Sequence, residues 1–314
     1  MSKTLYIDKE IIKSSFFNGK DDKEILVIAD LHYHKHAQKD ILNLIIKHVR
    51  LNNPDYIVMP GDIFDTEKFL NYSDVKEYFE YFISALAEVC PVILVPGNHD
   101  IASFDIKSFF NRKRHDNEKI IKYFESLNKI KNIYFLNNEY EKIKDLTFYG
   151  FNPRLETYLI KKNQMVDELF IEDYQNTNFK LKDNEYNILV NHSPLPLFNE
   201  NINNNIKDFS KYDLAITGHF HDGYMPKSLD AYFKDTDIGF FFLPLMCPYP
   251  GVKCRGVHPF GRGYVFISQG FRKWNSDIFL FNLFDKFTAH DVETLHLTDL
   301  DSNYSDDYAR ILKK

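Results

Sequence analysis

Five short clusters along the chain hold residues able to do chemistry together: Asp30-x-His32, Gly61-Asp62-x-x-Asp65, Gly97-Asn98-His99-Asp100, Asn191-His192 and Gly218-His219-x-His221. Carboxylate, carboxamide and imidazole side chains are the ligand types of a hydrolytic centre built on two divalent cations. Two such cations, about 3.5–4 Å apart, clamp both the attacking and the leaving oxygen of an in-line displacement. They need a carboxylate able to bridge them, and Asp62, on a tight glycine turn, is the candidate. Mixed oxygen and imidazole ligands suit Mn, Fe, Zn or Co, and none of the five clusters contains a thiol. Two carboxylates against two divalent cations leave the site net positive, the sign a phosphate requires.

Such chemistry needs elements that bring distant clusters together. Each cluster ends a short apolar run: EILVIAD, DYIVMPGD, PVILVPGNHD, NILVNHSP and DLAITGHFH. These read as strands, as do NIYFLNN, LTFYGFN, GYVFISQG and IFLFNLF. Apolar residues at helical spacing predict helices over 37–51, 73–89, 116–128 and 164–174. Early strands alternating with helices imply parallel pairing, and the denser later strands imply a mixed sheet. In open α/β sheets the carboxyl ends of the strands face a common crevice, so clusters at five strand ends can converge. No repeat, low-complexity tract or linker breaks the chain, and a single domain over 1–314 is expected.

The stretch VIADLHYHKH alone leaves several chemistries open. Asp30, His32 and His34 fit the H-x-H centre of amidohydrolases or PHP-type phosphoesterases. His32, His34 and His36 resemble part of the metallo-β-lactamase motif, without its carboxylate. Taken together, the five clusters resemble the calcineurin-like metallophosphoesterase family: D-x-H, G-D-x-x-D, G-N-H-[DE], a lone H, then G-H-x-H, over residues 24–221. The rival readings leave G-D-x-x-D and G-N-H-D unexplained.

The resemblance implies an α/β fold of two packed mixed β-sheets flanked by helices, an αββα sandwich. It implies a metal-dependent phosphohydrolase acting on phosphodiesters or pyrophosphates, in which a metal-bridging hydroxide attacks phosphorus in line. Carried over by position, one metal falls to Asp30, His32, Asp62 and His221, and the second to Asp62, Asn98, His192 and His219. Two divalent ions are expected, manganese ahead of Fe, Zn or Co. His99 is the catalytic residue that protonates the leaving group or stabilises the transferring phosphoryl. Asp100, counted with it as catalytic, or Asp65 would orient an imidazole. His34 and His36 lie where the family needs no ligand.

Beyond His221 the chain resembles a branch of bacterial phosphodiesterases with G-H-T-H-G-G-Q followed by an apolar, proline-containing loop. Phe220, Asp222 and Tyr224 depart from that motif. Ile238–Val252 carries no charge and three prolines, and Lys253, Arg255 and Arg262 follow it. A lip over the metals at 223–262 is expected, with cations for a second phosphate or headgroup. The expected substrate is a small-molecule or lipid-headgroup phosphoester.

Composition narrows the classes further. A net charge of −6 argues against a protein that grips a nucleic-acid backbone. A nuclease of the same superfamily and a non-catalytic metal-binding interaction module remain as alternatives. Three cysteines (Cys90, Cys247, Cys254) without C-x-x-C fit a reducing compartment better than a disulfide framework. MSKTLYIDKEIIKSS lacks a signal-peptide core, and IGFFFLPLMCPYPGV is too short and proline-broken to span a membrane. A soluble, cytoplasmic protein is expected.

Overall fold

The structure, a computed structural model, describes residues 4–33, 39–65, 67–101, 118–158, 164–221, 255–271, 290–300 and 310–313. His34, His36, the lip residues 223–254 and the run IFLFNLF lie outside them. In chain order the described strands begin with β1 (Thr4–Lys13), β2 (Lys23–Val27), β3 (Tyr56–Pro60), β4 (Val92–Val95), β5 (Ile133–Phe135), β6 (Glu139–Ile143) and β7 (Leu146–Phe151). They continue with β8 (Tyr186–Asn191), β9 (Leu214–Thr217), β10 (Gly256–Phe260), β11 (Gly263–Ile267), β12 (His290–Thr298) and β13 (Arg310–Lys313). The helices are α1 (Lys39–Asn52), α2 (Ser73–Ala87), α3 (Asn98–Ile101), α4 (Glu118–Leu127), α5 (Gln164–Gln175) and α6 (Glu200–Asn205).

Two mixed sheets result, of seven strands in the order β13-β1-β12-β2-β3-β4-β5 and of six in the order β10-β11-β9-β8-β7-β6. Within them β2 to β5 run parallel, as do β7, β8, β9 and β11. The strand period of two sorts side chains between layers. From β2, β3 and β4, Ile25, Val27, Tyr56, Val58, Ile93 and Val95 face the second sheet, meeting Phe148, Ile188, Val190, Ile216 and Phe266. Their neighbours Leu26, Ile57, Met59, Val92 and Leu94 turn outward under α1, α2 and α4. On the other side Tyr149, Leu189, Ala215 and Val265 lie under α5, α6 and the 3-10 turn at 207–211. The result is four layers, helix–sheet–sheet–helix. Each apolar side chain buried this way contributes about 1.5–3 kcal/mol.

The strands ending in clusters are where the apolar runs place them. β1 and β12 are not legible in the same way, because TLYIDKEIIK and HDVETLHLT interleave charges with apolar residues. They pair in parallel, Leu5 opposite His290 through Lys13 opposite Thr298, and β12 joins β2 antiparallel. Parallel β1 and β12 lie nearly three hundred residues apart, a pairing no local signal announces. Among the described residues no helix is long and apolar enough to cross a membrane.

Between the sheets sit two buried tyrosines with different fates. The Tyr56 hydroxyl donates to the Ile143 carbonyl at 3.1 Å. The Tyr186 hydroxyl, beside Phe16 and Phe17, is buried with no partner. Removing a satisfied buried hydroxyl costs about 0.5–1.5 kcal/mol, whereas removing an unsatisfied one is neutral or favourable. In urea unfolding, Tyr56→Phe is therefore expected to lower the midpoint, and Tyr186→Phe to hold or raise it.

Candidate metal centre

The carboxyl ends of the parallel strands deliver the site. β2 leads to Asp30 and His32, β3 to Asp62, β4 to Asn98 and His99, β8 to His192, and β9 to His219 and His221. The turns after β2 and β3 run together, His32 N donating to the Asp62 carbonyl at 2.9 Å and Tyr33 N to the Ile63 carbonyl at 2.8 Å. Five of the nine described non-glycine residues at positive φ are in this site: Asp30 (54°), His32 (44°), Asp62 (50°), His219 (74°) and His221 (47°). Asp and His tolerate the left-handed region better than most residues, yet each costs about 1–3 kcal/mol. Here the cost turns side chains of consecutive strands inward at one point.

The backbone has to come close for this to work. A Cβ on Gly97 would collide with the Asp62 amide and carboxylate, and one on Gly270 would stand 2.6 Å from Asp30 Oδ2. Glycine at these places is a matter of space beside a ligand, not of turn chemistry alone.

Among the described residues three donor groups form; Asp62 belongs to two of them, and the third is His32, Asp65 and His99. Asp30, His32, Asp62 and His221 each offer an atom within 4.8 Å of the others, and Asp62, His192 and His219 do the same. Asp62 Oδ1 accepts the His99 amide at 2.8 Å, while Oδ2 lies 3.0 Å from His192 Nε2 and 3.7 Å from His32 Nε2. Asp30 accepts the His219 amide at 3.0 and 3.1 Å and approaches His221 Nε2 at 3.4 Å. Imidazole nitrogens face each other at 3.3 Å in both sets that share Asp62, His32 against His221 and His219 against His192. Asn98 Oδ1 is buried with no hydrogen-bond partner. A lone buried acceptor beside buried carboxylates and opposed imidazoles fits a cation.

Backbone carbonyls set the imidazoles. His192 Nδ1 is 2.8 Å from the Pro60 carbonyl and His221 Nδ1 is 2.9 Å from that of Phe271, which turns Nε2 of each toward Asp62 and Asp30 respectively. Burial pushes both His32 and His192 down, but carboxylates prevail. His32 rises to about 9 through its bond to Asp65 and the charges of Asp62, Asp65 and Asp30. His192 rises to about 9 through Asp62 and Asp30. Burial wins at His219, which drops to about 3 with the His192 charge beside it, and also lowers His99 and His221. Burial would raise Asp62, but His192 and His99 hold it well below the usual carboxylate range.

The two carboxylates weighed for orienting an imidazole take different places. Asp65 Oδ1 lies 3.6 Å from His99 Nδ1 and 3.7 Å from His32 Nδ1. Asp100 is fully buried and accepts the amides of Ile63 (3.1 Å), Phe64 (2.8 Å) and Gly97 (2.9 Å). It ties the Asp62 turn to the Asn98 turn. Burial, then the Asp62 charge, pushes Asp100 up to about 7 against these amides.

One part of the site has no cluster to announce it. The segment Ser268–Phe271 after β11 packs Gly270 on Asp30 and turns the Phe271 carbonyl to His221. It is held by Glu293 of β12, fully buried, which accepts Ser268 Oγ at 2.8 Å and the Gln269 amide at 2.6 Å. Ser268 Oγ in turn accepts the Gly270 amide at 3.0 Å. Of the expected lip only 255–262 is described. There Arg262 is engaged with Asp213 at 2.7 Å, at the opposite ends of the strands from the site, and Arg255 reaches Gln269 at 3.5 Å.

A family model described as calcineurin-like phosphoesterase matches residues 23–223. The chain belongs to that family. An uncharacterized metallophosphoesterase of Campylobacter jejuni is 24% identical over 206 residues, 66% of this chain and 46% of that protein. An SbcCD nuclease subunit from Staphylococcus epidermidis is 22% identical over 200 residues, 59% of this chain and 50% of its own. The crystal structure of a dimetal phosphatase from Danio rerio aligns at a TM-score of 0.37 with 14% identity, covering 64% of this chain and 82% of that one. The chain spans about half the length of the curated relatives it matches.

In this metallophosphoesterase, Glu293 and the Ser268–Phe271 segment lie beyond the matched residues, yet the segment touches Asp30 and His221. Outer partners of metal ligands typically govern affinity by about 10–100-fold. Glu293→Gln is expected to weaken Mn²⁺ binding, read by titration calorimetry, by about 10-fold. Unchanged affinity would leave the segment without influence on the centre.

Proposed function

We propose that the chain is a dinuclear metal-dependent phosphohydrolase acting on phosphodiesters or pyrophosphates, with manganese the favoured cation. The observation that carries this reading is the single Asp62 oxygen standing between two donor sets, with the buried Asn98 Oδ1 awaiting a partner beside it. Asp30, His32, Asp62 and His221 would hold one ion, and Asp62, Asn98, His192 and His219 the other. Bound there, divalent cations supply Lewis acidity toward a phosphoryl oxygen and lower the pKa of water. The side chains position them: Asp62 is shared, and backbone carbonyls fix the ligating face of His192 and His221. His99, with Asp65 against its Nδ1, is placed to give a hydrogen bond or proton to the leaving oxygen. Pairing of β13 with β1 in one sheet supports a single domain over 1–314.

Substitutions separate holding the ions from using them. Asp62→Asn is expected to lose metal and hydrolysis together. His99→Ala should keep both ions by elemental analysis and lose turnover by ~10²–10⁴-fold, the usual contribution of a positioned acid. Finding no more than one ion per chain after Mn²⁺ loading would sink the dinuclear reading.

The uncharged, proline-bearing run Ile238–Val252, with Lys253 and Arg255 after it, supports a diester with an apolar leaving group, whereas Arg262, paired with Asp213 at the far ends of the strands, is not available to it. Hydrolysis of bis-p-nitrophenyl phosphate is expected at higher kcat/KM than of p-nitrophenyl phosphate. A clear monoester preference would overturn the diesterase assignment. The Staphylococcus relative's name favours a second reading, a nuclease. The net charge of −6 weighs against it. Efficient Mn²⁺-dependent degradation of single-stranded DNA in the same assays would favour the nuclease.

A further inference from the structure

Beside the second donor set a tyrosine ring carries a buried polar atom without a hydrogen-bond partner, and that atom is a donor. Tyr158 closes the 3-10 turn Leu155–Tyr158 that follows β7, the neighbour of β8 and hence of His192. Its ring centroid is 6.0 Å from that of His192 and 5.8 Å from that of His219. The ring packs with Leu155 and Ile101, the last residue of the helix that begins with Asn98 and His99. Tyr158 is 7% exposed, and its hydroxyl is buried without a hydrogen-bond partner.

Asn98 Oδ1, an acceptor, is the kind of orphan a cation satisfies. A phenol O–H needs an acceptor instead. A phenol, with an ordinary pKa of about 10, carries its proton at neutral pH. A tetrahedral phosphoryl group brings several acceptor oxygens to this place. On the first donor set His99 stands edge-on to His32, with centroids 4.7 Å apart. Tyr158 stands beside the second set, tilted against both of its imidazoles.

We propose that Tyr158 is a substrate-contacting residue whose hydroxyl donates a hydrogen bond to a non-bridging phosphoryl oxygen on the His192–His219 side. This rests on the reading of the site as a phosphoester hydrolase. A donor already aimed at developing charge in a dry site acts without reorganisation, which is why single donors of this kind affect turnover strongly.

Tyr158→Phe removes the hydroxyl and keeps the ring that packs on Leu155 and Ile101. Two measurements on Mn²⁺-loaded protein test the proposal: the rise in Tm produced by inorganic phosphate, and kcat/KM on bis-p-nitrophenyl phosphate. Relative to wild type, the variant is expected to keep its metal content and its Tm without phosphate. Its phosphate-induced rise should shrink, and its kcat/KM should fall by about 10²-fold, the loss typical of one oxyanion donor. A phosphate response and kcat/KM equal to wild type would overturn the proposal while leaving the hydrolase reading intact. Loss of metal from the variant would overturn it too, by making Tyr158 a support of the ligands. Wild-type protein that neither responds to phosphate nor cleaves any phosphoester would remove the underlying reading and the proposal together.

Discussion

The structure depends on keeping the carboxylate of Asp62 ionised in a place that water does not reach. An unpaired buried charge of that kind is far costlier than the margin by which a domain is stable. Its compensation comes from all sides: the His99 amide on one oxygen, His192 and His32 on the other. None of these partners is a sequence neighbour of Asp62. The two sheets must therefore be packed, with β8 and β9 of one set against β2, β3 and β4 of the other, before the charge has anywhere to go. The charge of Asp62 helps to hold His192 and His32 up to about 9, whereas burial pushes His219, His99 and His221 down.

Such a site is built against local preference. Five left-handed residues and glycines pressed against Asp30 and Asp62 are unfavourable in isolation. They persist because the sandwich around them is large and regular, with three apolar layers fixing the strands whose ends they occupy. Asp100 works in this mode. Its carboxylate, bonded to three amides, joins the turn that carries Asp62 to the turn that carries Asn98. Asp65 instead stands between His32 and His99.

The centre also reaches beyond the part of the chain shared with the family. The matched residues end at 223, but Phe271 and Gly270 touch ligands, and Glu293 holds the segment that carries them. The strand β12, between β1 and β2, thus does more than extend a sheet. It places a buried carboxylate where the turn after β11 has exposed amide and hydroxyl donors, and that turn forms one wall of the site.

The residue types of the candidate site, their order and the strand ends that carry them were legible in the chain alone. Apolar runs closed by Asp, Asn, His and Gly are local signals, readable in a few residues each, and the family's motifs confer an order on them. Legible in the same way were the helices over α1, α2, α4 and α5, whose apolar periodicity is strong. Only the tertiary structure decided which side chains face one another. Asp100 and Asp65 look alike in sequence, both acidic and both just past a glycine turn, and differ only in whether amides or imidazoles surround them. Tyr158 and Glu293 carry no motif, since a lone tyrosine after a strand or a glutamate in a strand that interleaves charges is commonplace. Their meaning comes from what lies within a few ångströms across the fold, and distances of that kind are set by packing between elements far apart in the chain.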